Sequence, residues 1–187
     1  AIMNNSKNGH HEVMRAEVPG PVFGKVVAKL KNTAQILYII YLTMFVIFAV
    51  ILWLCGMPIF DSIITAMGGA GTGGFAVYND SIAHYHSDLI TYVVTVGTLL
   101  FGVNFNLYFY ILLRKIKFFF QDEELRTYFA IVAISTGLIF LNIFGIYHNL
   151  ADSFKYSFFE VSTIITTTGF GLTDITKWPL FSQYILL

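Results

Sequence analysis

The hydrophobic positions of this chain are gathered into long runs that contain no charged residue. Three such runs cover residues 35–60, 89–113 and 127–147. A helix needs roughly 20 apolar residues to cross the hydrocarbon core of a bilayer, and each run is long enough. We therefore predict a transmembrane helix in each of the three runs.

The charged residues between these runs predict how the chain is oriented. Basic residues precede the first run and fill the connection between the second and third, at Lys25, Lys29, Lys31, Arg114, Lys115, Lys117 and Arg126. The connection between the first two runs holds Asp61, Asp80 and Asp88 but no Lys or Arg. Because short cytoplasmic loops collect Lys and Arg, we predict that both basic segments face the cytoplasm and that 61–88 faces outward.

That outward connection contains an uncharged stretch, 62–79, which is rich in Ile, Ala and Gly. Its glycines make it a poor spanning helix, yet it is too apolar for a plain loop. A short half-helix with a strand-like return would fit, since non-helical backbone is tolerated at membrane depth only inside protein or against water. We predict a re-entrant segment that lines a pore.

The same pattern recurs later in the chain, where 153–166 predicts a short helix and 167–171 its return. Residues 72–76 align with 167–171, with Gly74 and Gly169 lying 95 residues apart. The two half-helices are predicted to begin near Phe60 and Phe154. A closing helix from Trp178 would have only ten residues, about 15 Å at the standard rise, and the chain opens on Ala1. We expect a fragment of a longer membrane protein.

The two return segments have the composition of an ion filter. Backbone carbonyls of a Thr-x-Gly-aromatic-Gly segment can replace the water shell of potassium, and glycine permits the backbone conformations that this requires. The second segment fits completely and the first lacks only the final glycine, which is Ala76. The predicted filter residues are Thr72, Gly73, Gly74, Phe75, Thr167, Thr168, Gly169, Phe170 and Gly171. Potassium is predicted to pass carbonyl sites at Gly74 and Gly169.

Glu160 is the one acidic residue inside the second half-helix. Ionisable groups at membrane depth are candidates for function. We predict that Glu160 supports the filter by hydrogen bonding to nearby backbone, with direct attraction of cations as the alternative.

Composition removes other classes of function. The chain has 11 Lys and Arg against 11 Asp and Glu, so its formal net charge is zero and no basic surface for nucleic acid is indicated. The glycine pattern at Gly69, Gly71 and Gly74 matches a dinucleotide fingerprint, but no strand is predicted before it. We predict no enzymatic activity and no covalent cofactor, with potassium as the substrate.

These patterns together predict an all-α integral membrane protein with helix–pore loop–helix units, of which about one and a half are present. Residues 1–33 form a cytoplasmic linker, 34–118 a complete unit with its filter at 72–76, and 119–187 a truncated copy with its filter at 167–171. Two alternatives stay open. One is a two-pore-loop potassium channel that assembles as a dimer, and the other is a non-conducting membrane subunit whose small residues only pack against partners.

Four motifs give the chain a family resemblance. They are TTTGFG at 166–171 with Trp178 and Pro179, GTGGFA at 71–76, GVNFNLYFY at 102–110 and RAEVPGP at 15–21. Together they resemble the Trk/Ktr/HKT superfamily of potassium transporters, and most closely its TrkH-type subunits.

The resemblance implies a fold and an activity. Members of the superfamily have four helix–pore loop–helix repeats around one pore, so this chain resembles the second repeat and most of the third. It implies potassium uptake, sometimes with sodium, by a homodimer. The implied location is the plasma membrane, which is the inner membrane in a bacterium. The resemblance also implies a cytosolic nucleotide-binding regulatory subunit. A glycine at the first filter position, held here by Gly74 and Gly169, goes with potassium preference in the family.

Overall fold

The computed structural model describes residues 22–114 and 116–187, with side chains given from residue 34 onward except at 115 and 118. The motif at 15–21 and the first part of the predicted linker 1–33 lie outside the described residues. The chain divides into two compact parts, Ala1–Ile36 and Leu37–Leu187. The described residues of the first part are helical, and both return segments lie in the second part.

The described residues form helices and loops without any β-strand, which confirms the all-α prediction. In chain order the helices are α1 (Val22–Leu54), α2 (Ile59–Ala70), a 3₁₀ turn (Ser81–Tyr85), α3 (Asp88–Phe101), α4 (Phe105–Leu112), α5 (Ile116–Gln121), α6 (Glu123–Tyr147), α7 (Leu150–Ile165), a 3₁₀ turn (Ile175–Lys177) and α8 (Leu180–Leu186). Two of them, α1 over Ala34–Leu54 and α6, have the length and apolarity needed to cross a membrane, with mean hydropathies of 2.6 and 2.2.

The second predicted span is wrong as one continuous helix. Helices α3 and α4 meet at an angle of 89° instead. Asn104 caps the start of α4, because its Oδ1 accepts from the N–H of Asn106 at 3.0 Å while its Nδ2 donates to Glu124 at 3.0 Å. The hydroxyl of Tyr128 donates to the carbonyl of Leu99 at 3.2 Å, which satisfies one of the groups that the end of α3 leaves without a helical partner.

The short helices begin near their predicted positions. Helix α2 begins at Ile59, next to the predicted Phe60, whereas α7 begins at Leu150, before the predicted start. Asn149 explains the earlier start, since its side chain accepts from the N–H of Ala151 and caps the helix. Helix α8 begins two residues after Trp178, at the residue that follows Pro179.

Buried side chains from the earlier and later helices of 37–187 pack together in shared cores. The largest cluster combines Phe48 of α1 and Val94 of α3 with Phe159 of α7 and Phe170 of the second return. A second cluster places Trp178 against Ile139 and Ile143 of α6. Within 37–187, the later helices are therefore packed directly onto the earlier ones, which places the two return segments side by side.

Candidate functional site

The two half-helices end in the same hydrogen-bond pattern. The carbonyl of Gly68 in α2 accepts from the N–H groups of Gly73 at 2.8 Å and Gly74 at 3.2 Å. The carbonyl of Thr163 in α7 accepts from Thr168 at 2.8 Å and Gly169 at 3.1 Å. The donors and acceptors of the two sets are related by the same interval of 95 residues, so the repeated sequence produces a repeated backbone.

Neither return is a strand, and the strand-like return expected from the sequence is wrong. Alternate residues have positive φ angles, namely 49° at Thr72 and 62° at Gly74, then 56° at Thr167 and 79° at Gly169. A strand would need extended φ angles throughout. The two threonines therefore adopt the left-handed conformation that normally favours glycine.

This alternation sets the direction of the peptide groups in the second return. The N–H groups of Thr168 and Gly169 both point to Thr163 O, and the N–H of Phe170 donates to Thr163 Oγ1 at 2.7 Å. Within a peptide unit the carbonyl points opposite to the N–H, because the unit is planar and trans. Successive carbonyls of 167–169 therefore face away from α7, on one common side.

The two returns meet backbone to backbone at Gly74. A Cβ built there would overlap the carbonyl oxygen of Thr168 and lie 2.9 Å from the carbonyl carbon of Gly169. By contrast, a Cβ on Gly169 would have no atom within 4 Å. Glycine is required at Gly74 both for space and for its backbone conformation, and at Gly169 for conformation alone.

The aromatic residues of the two returns have opposite environments. Phe170 is 2% exposed, and a Cβ on Gly68 would lie 3.2 Å from the Cζ of its ring. The ring of the second return is thus seated on the end of the first half-helix. Phe75, at the equivalent position of the first return, is 75% exposed.

Glu160 lies behind the second return and is 4% exposed. Its Oε1 accepts from the N–H groups of Leu172 at 3.3 Å and Thr173 at 3.4 Å. The hydroxyl of Thr173 lies 3.1 Å from that of Tyr147, which also accepts from the indole N–H of Trp178 at 3.1 Å. This chain of contacts connects the residues that follow the second return to α6 and to Trp178, just before α8.

Two residues that contact these elements were not identified from the sequence. Lys155 of α7 contacts Asp88 at the start of α3 and Asp152, each at 2.8 Å. Ser81 accepts from the N–H of Gly171 at 3.2 Å. The contacts of Lys155 with Asp88 and of Ser81 with Gly171 join residues far apart in the chain, and no local pattern signals them.

The described part of the chain contains no group of three or more His, Cys, Asp or Glu side chains that could hold a metal ion. The polar atoms of the return segments themselves are backbone carbonyls and N–H groups and threonine hydroxyls. The hydroxyl of Thr168 lies 2.8 Å from that of Thr166, the residue before the second return. These neutral oxygen ligands suit a weakly held cation in transit.

Comparisons with known proteins agree with this architecture. The Trk system potassium uptake protein TrkH of Salmonella typhimurium is 32% identical over 185 residues, which are 96% of this chain and 38% of that protein. TrkG of Escherichia coli K12 has the same identity and coverage. The crystal structure of the potassium transporter TrkH from Vibrio parahaemolyticus superposes with a TM-score of 0.80 at 30% identity, over 84% of this chain and 35% of that one.

The chain thus spans somewhat over a third of the length of these relatives, which are named as uptake proteins and transporters and not as enzymes. Their similarity and the apolar helices confirm a multi-pass protein of the plasma membrane. The family model described as cation transport protein, TrkH, matches residues 1–187. The chain therefore belongs to the TrkH family of cation transport proteins.

Proposed function

We propose that this chain supplies two neighbouring loops of a potassium-selective filter in a potassium uptake protein. The observation that carries the proposal is the direction of the peptide groups, since N–H groups of both returns point to their half-helices. The carbonyls are left to face the opposite side, where a potassium ion can exchange its water shell for them. Transport needs no covalent step.

The filter residues take distinct roles in this proposal. Carbonyls of Thr72, Gly73, Thr167 and Thr168 line the pathway with those of Gly74 and Gly169, which are the potassium sites. Phe170 anchors the second loop, Phe75 would anchor the first against a further half-helix, and Gly171 ends the second loop. Helices α2 and α7 end at the filter, so the negative ends of their dipoles favour a cation nearby.

Glu160 is a supporting residue in this proposal and not an ion ligand. Both of its hydrogen bonds go to backbone N–H groups after the filter, and its carboxylate is almost fully buried. A carboxylate held in this way fixes the outer end of the second return.

Two loops do not close a pore, and the uncovered sides of the two returns indicate how further loops fit. Phe170 is seated on α2, the half-helix of the neighbouring unit, whereas Phe75 is exposed and Gly169 has open space. If the packing between these two returns were repeated on both sides, another half-helix would cover Phe75 and another loop would contact Gly169. We accordingly propose 34–118 as one complete unit, 119–187 as part of the next, and 1–33 as a cytoplasmic linker.

The partners are proposed from the family resemblance. A homodimer and a cytosolic nucleotide-binding regulatory subunit would accompany the pore, and sodium would accompany potassium in some conditions. The comparisons give no support to the alternative of a two-pore-loop channel.

Growth rescue of a potassium-uptake-deficient bacterium by the full-length protein tests this function. We expect Gly169→Asp to abolish rescue, because the new carboxylate would hold a passing cation. His86→Asp is the matched control, since His86 also has a positive φ angle, 45°, but lies in the outer connection. Both variants should reach the membrane in normal amounts. Normal growth with Gly169→Asp would show that the filter assignment is wrong.

A further inference from the structure

The last residue of the second return is held by the outer connection of the first unit. The N–H of Gly171 donates to Ser81 Oγ at 3.2 Å, and its carbonyl accepts from the N–H of Ile82 at 3.1 Å. Both backbone polar groups of Gly171 are therefore bonded to residues about 90 positions earlier in the chain.

This pairing separates Gly171 from the residues before it. Its carbonyl is occupied by Ile82, so it does not face the ion pathway as the carbonyls of 167–169 do. A Cβ on Gly171 would have only an ordinary contact, 3.7 Å from the Cβ of Ser81, and its φ angle is not positive. Neither space nor conformation requires a glycine here, and the aligned residue of the first return is Ala76.

The connection that holds Gly171 is itself firmly placed. Ile82 is 1% exposed and belongs to the same buried cluster as Phe170. Ser81 has a φ angle of 53°, a conformation that is uncommon for a residue with a side chain. Such a conformation persists only where surrounding contacts maintain it, and it directs the hydroxyl of Ser81 to Gly171.

We propose that Ser81 is a positioning residue for the second filter loop and thereby contributes to cation discrimination. Ser81 belongs to the neighbouring unit and fixes the outer end of the loop. Glu160 belongs to the loop's own half-helix and fixes 172–173. Because discrimination between cations of different size depends on where the carbonyls are held, loosening this end alters selectivity. The inference rests on the proposed potassium pathway.

Ser81→Ala in the full-length protein tests the role, with Ser87→Ala as the matched control. Both serines lie half-buried in the same outer connection and both accept from a backbone N–H, but Ser87 bonds to Ile90 and starts α3. We expect Ser81→Ala to lower the ratio of rubidium to sodium uptake by roughly two- to tenfold, the range corresponding to one neutral hydrogen bond. Ser87→Ala should leave the ratio unchanged.

A second variant tests whether the effect of Ser81→Ala comes from a folding defect, and a second measurement does not depend on transport. Ser81→Gly removes the hydroxyl while favouring the positive φ angle, and it should shift the ratio in the same direction. Amide hydrogen exchange in a peptide covering 169–173 should accelerate in both Ser81 variants and not in Ser87→Ala.

An unchanged uptake ratio in the Ser81 variants, or an equal shift with Ser87→Ala, would overturn the inference. Failure of the proposed function is distinguishable, because the unaltered protein would then take up no rubidium. In that case the exchange measurement decides alone, and unchanged exchange at 169–173 overturns the role of Ser81 as a tether.

Discussion

The central glycines of the two return segments differ in what a methyl group would meet. A left-handed conformation costs a residue with a side chain about 1–2 kcal/mol, and both Gly74 and Gly169 have that conformation. Only at Gly74 would the methyl also overlap the neighbouring loop. We expect Gly74→Ala to lower both thermal stability and rubidium uptake more than Gly169→Ala does, as measured on the purified protein and in cells.

Gly171→Ala is the control for this comparison, because its Cβ would have room and its backbone needs no positive φ angle. Uptake close to that of the unaltered protein is expected. Equal loss in all three variants would show that glycine at these positions serves only general flexibility.

At the scale of single residues, glycine and threonine patterns in the sequence located both returns. The sequence predicted a carbonyl site at Gly169 but did not show that Gly171 is bonded differently. The N–H and carbonyl of Gly171 bond to Ser81 and Ile82, which lie about 90 residues earlier. The left-handed Thr72 and Thr167 could not be predicted either, since their conformation is imposed by hydrogen bonds to the half-helices.

Glu160 offers a second test at this scale. Replacing it with Ala leaves the N–H groups of Leu172 and Thr173 without their acceptor, which costs about 1–3 kcal/mol where such groups are buried. We expect Glu160→Ala to lower the rubidium-to-sodium uptake ratio. Glu160→Gln keeps an acceptor oxygen and should retain most of the ratio. A charge-based role predicts the opposite pattern, with Gln as damaging as Ala.

At the scale of helices, hydrophobicity located the spans well and missed the break between α3 and α4. Residues 89–113 carry no charge, and Gly102 with Asn104 is too slight a signal to mark a break in so apolar a run. The break is stabilised by tertiary contacts, in which Tyr128 satisfies a carbonyl at the end of α3 and Glu124 contacts Asn104. Such contacts come from a helix 20 or more residues further along, beyond the reach of local periodicity.

Lys155 connects the second half-helix to α3, and its contribution can be measured. Its side chain is 11% exposed, and its hydrogen bond holds the pKa of Asp152 below the ordinary value. Asp88, the partner from α3, is 74% exposed, so water screens part of the attraction. We expect a coupling free energy of about 1 kcal/mol between Lys155→Met and Asp88→Asn in a double-mutant cycle of thermal stability.

The exposed pair of Lys177 and Asp174, at 3.3 Å, is the control for that cycle. Its side chains are 81% and 49% exposed, and pairs of this kind contribute little. Coupling at Lys155 no larger than at Lys177 would mean that the contact between α7 and α3 depends on packing alone.

At the scale of the whole molecule, the two return segments have unequal surroundings. Phe170 of the second return is seated on α2, whereas Phe75 of the first return is exposed. A symmetric ring of loops would remove this inequality, because every aromatic residue would be seated on the half-helix of the unit before it. The relatives, more than twice as long as this chain, have the length for further units.

The stability of the full-length protein distinguishes a closed ring from an open pair of loops. Phe170 is buried, so Phe170→Ala should cost about 3–5 kcal/mol. Within this chain Phe75 and Phe60 are similarly exposed, at 75% and 66%. If another half-helix covers Phe75, then Phe75→Ala lowers the melting temperature nearly as much as Phe170→Ala. Phe60→Ala lowers it little, because Phe60 lies at the start of α2, at the opposite end of that helix from the return. A Phe75→Ala variant as stable as Phe60→Ala would exclude the closed ring of loops, because the side chain of Phe75 would then be uncovered in the full-length protein.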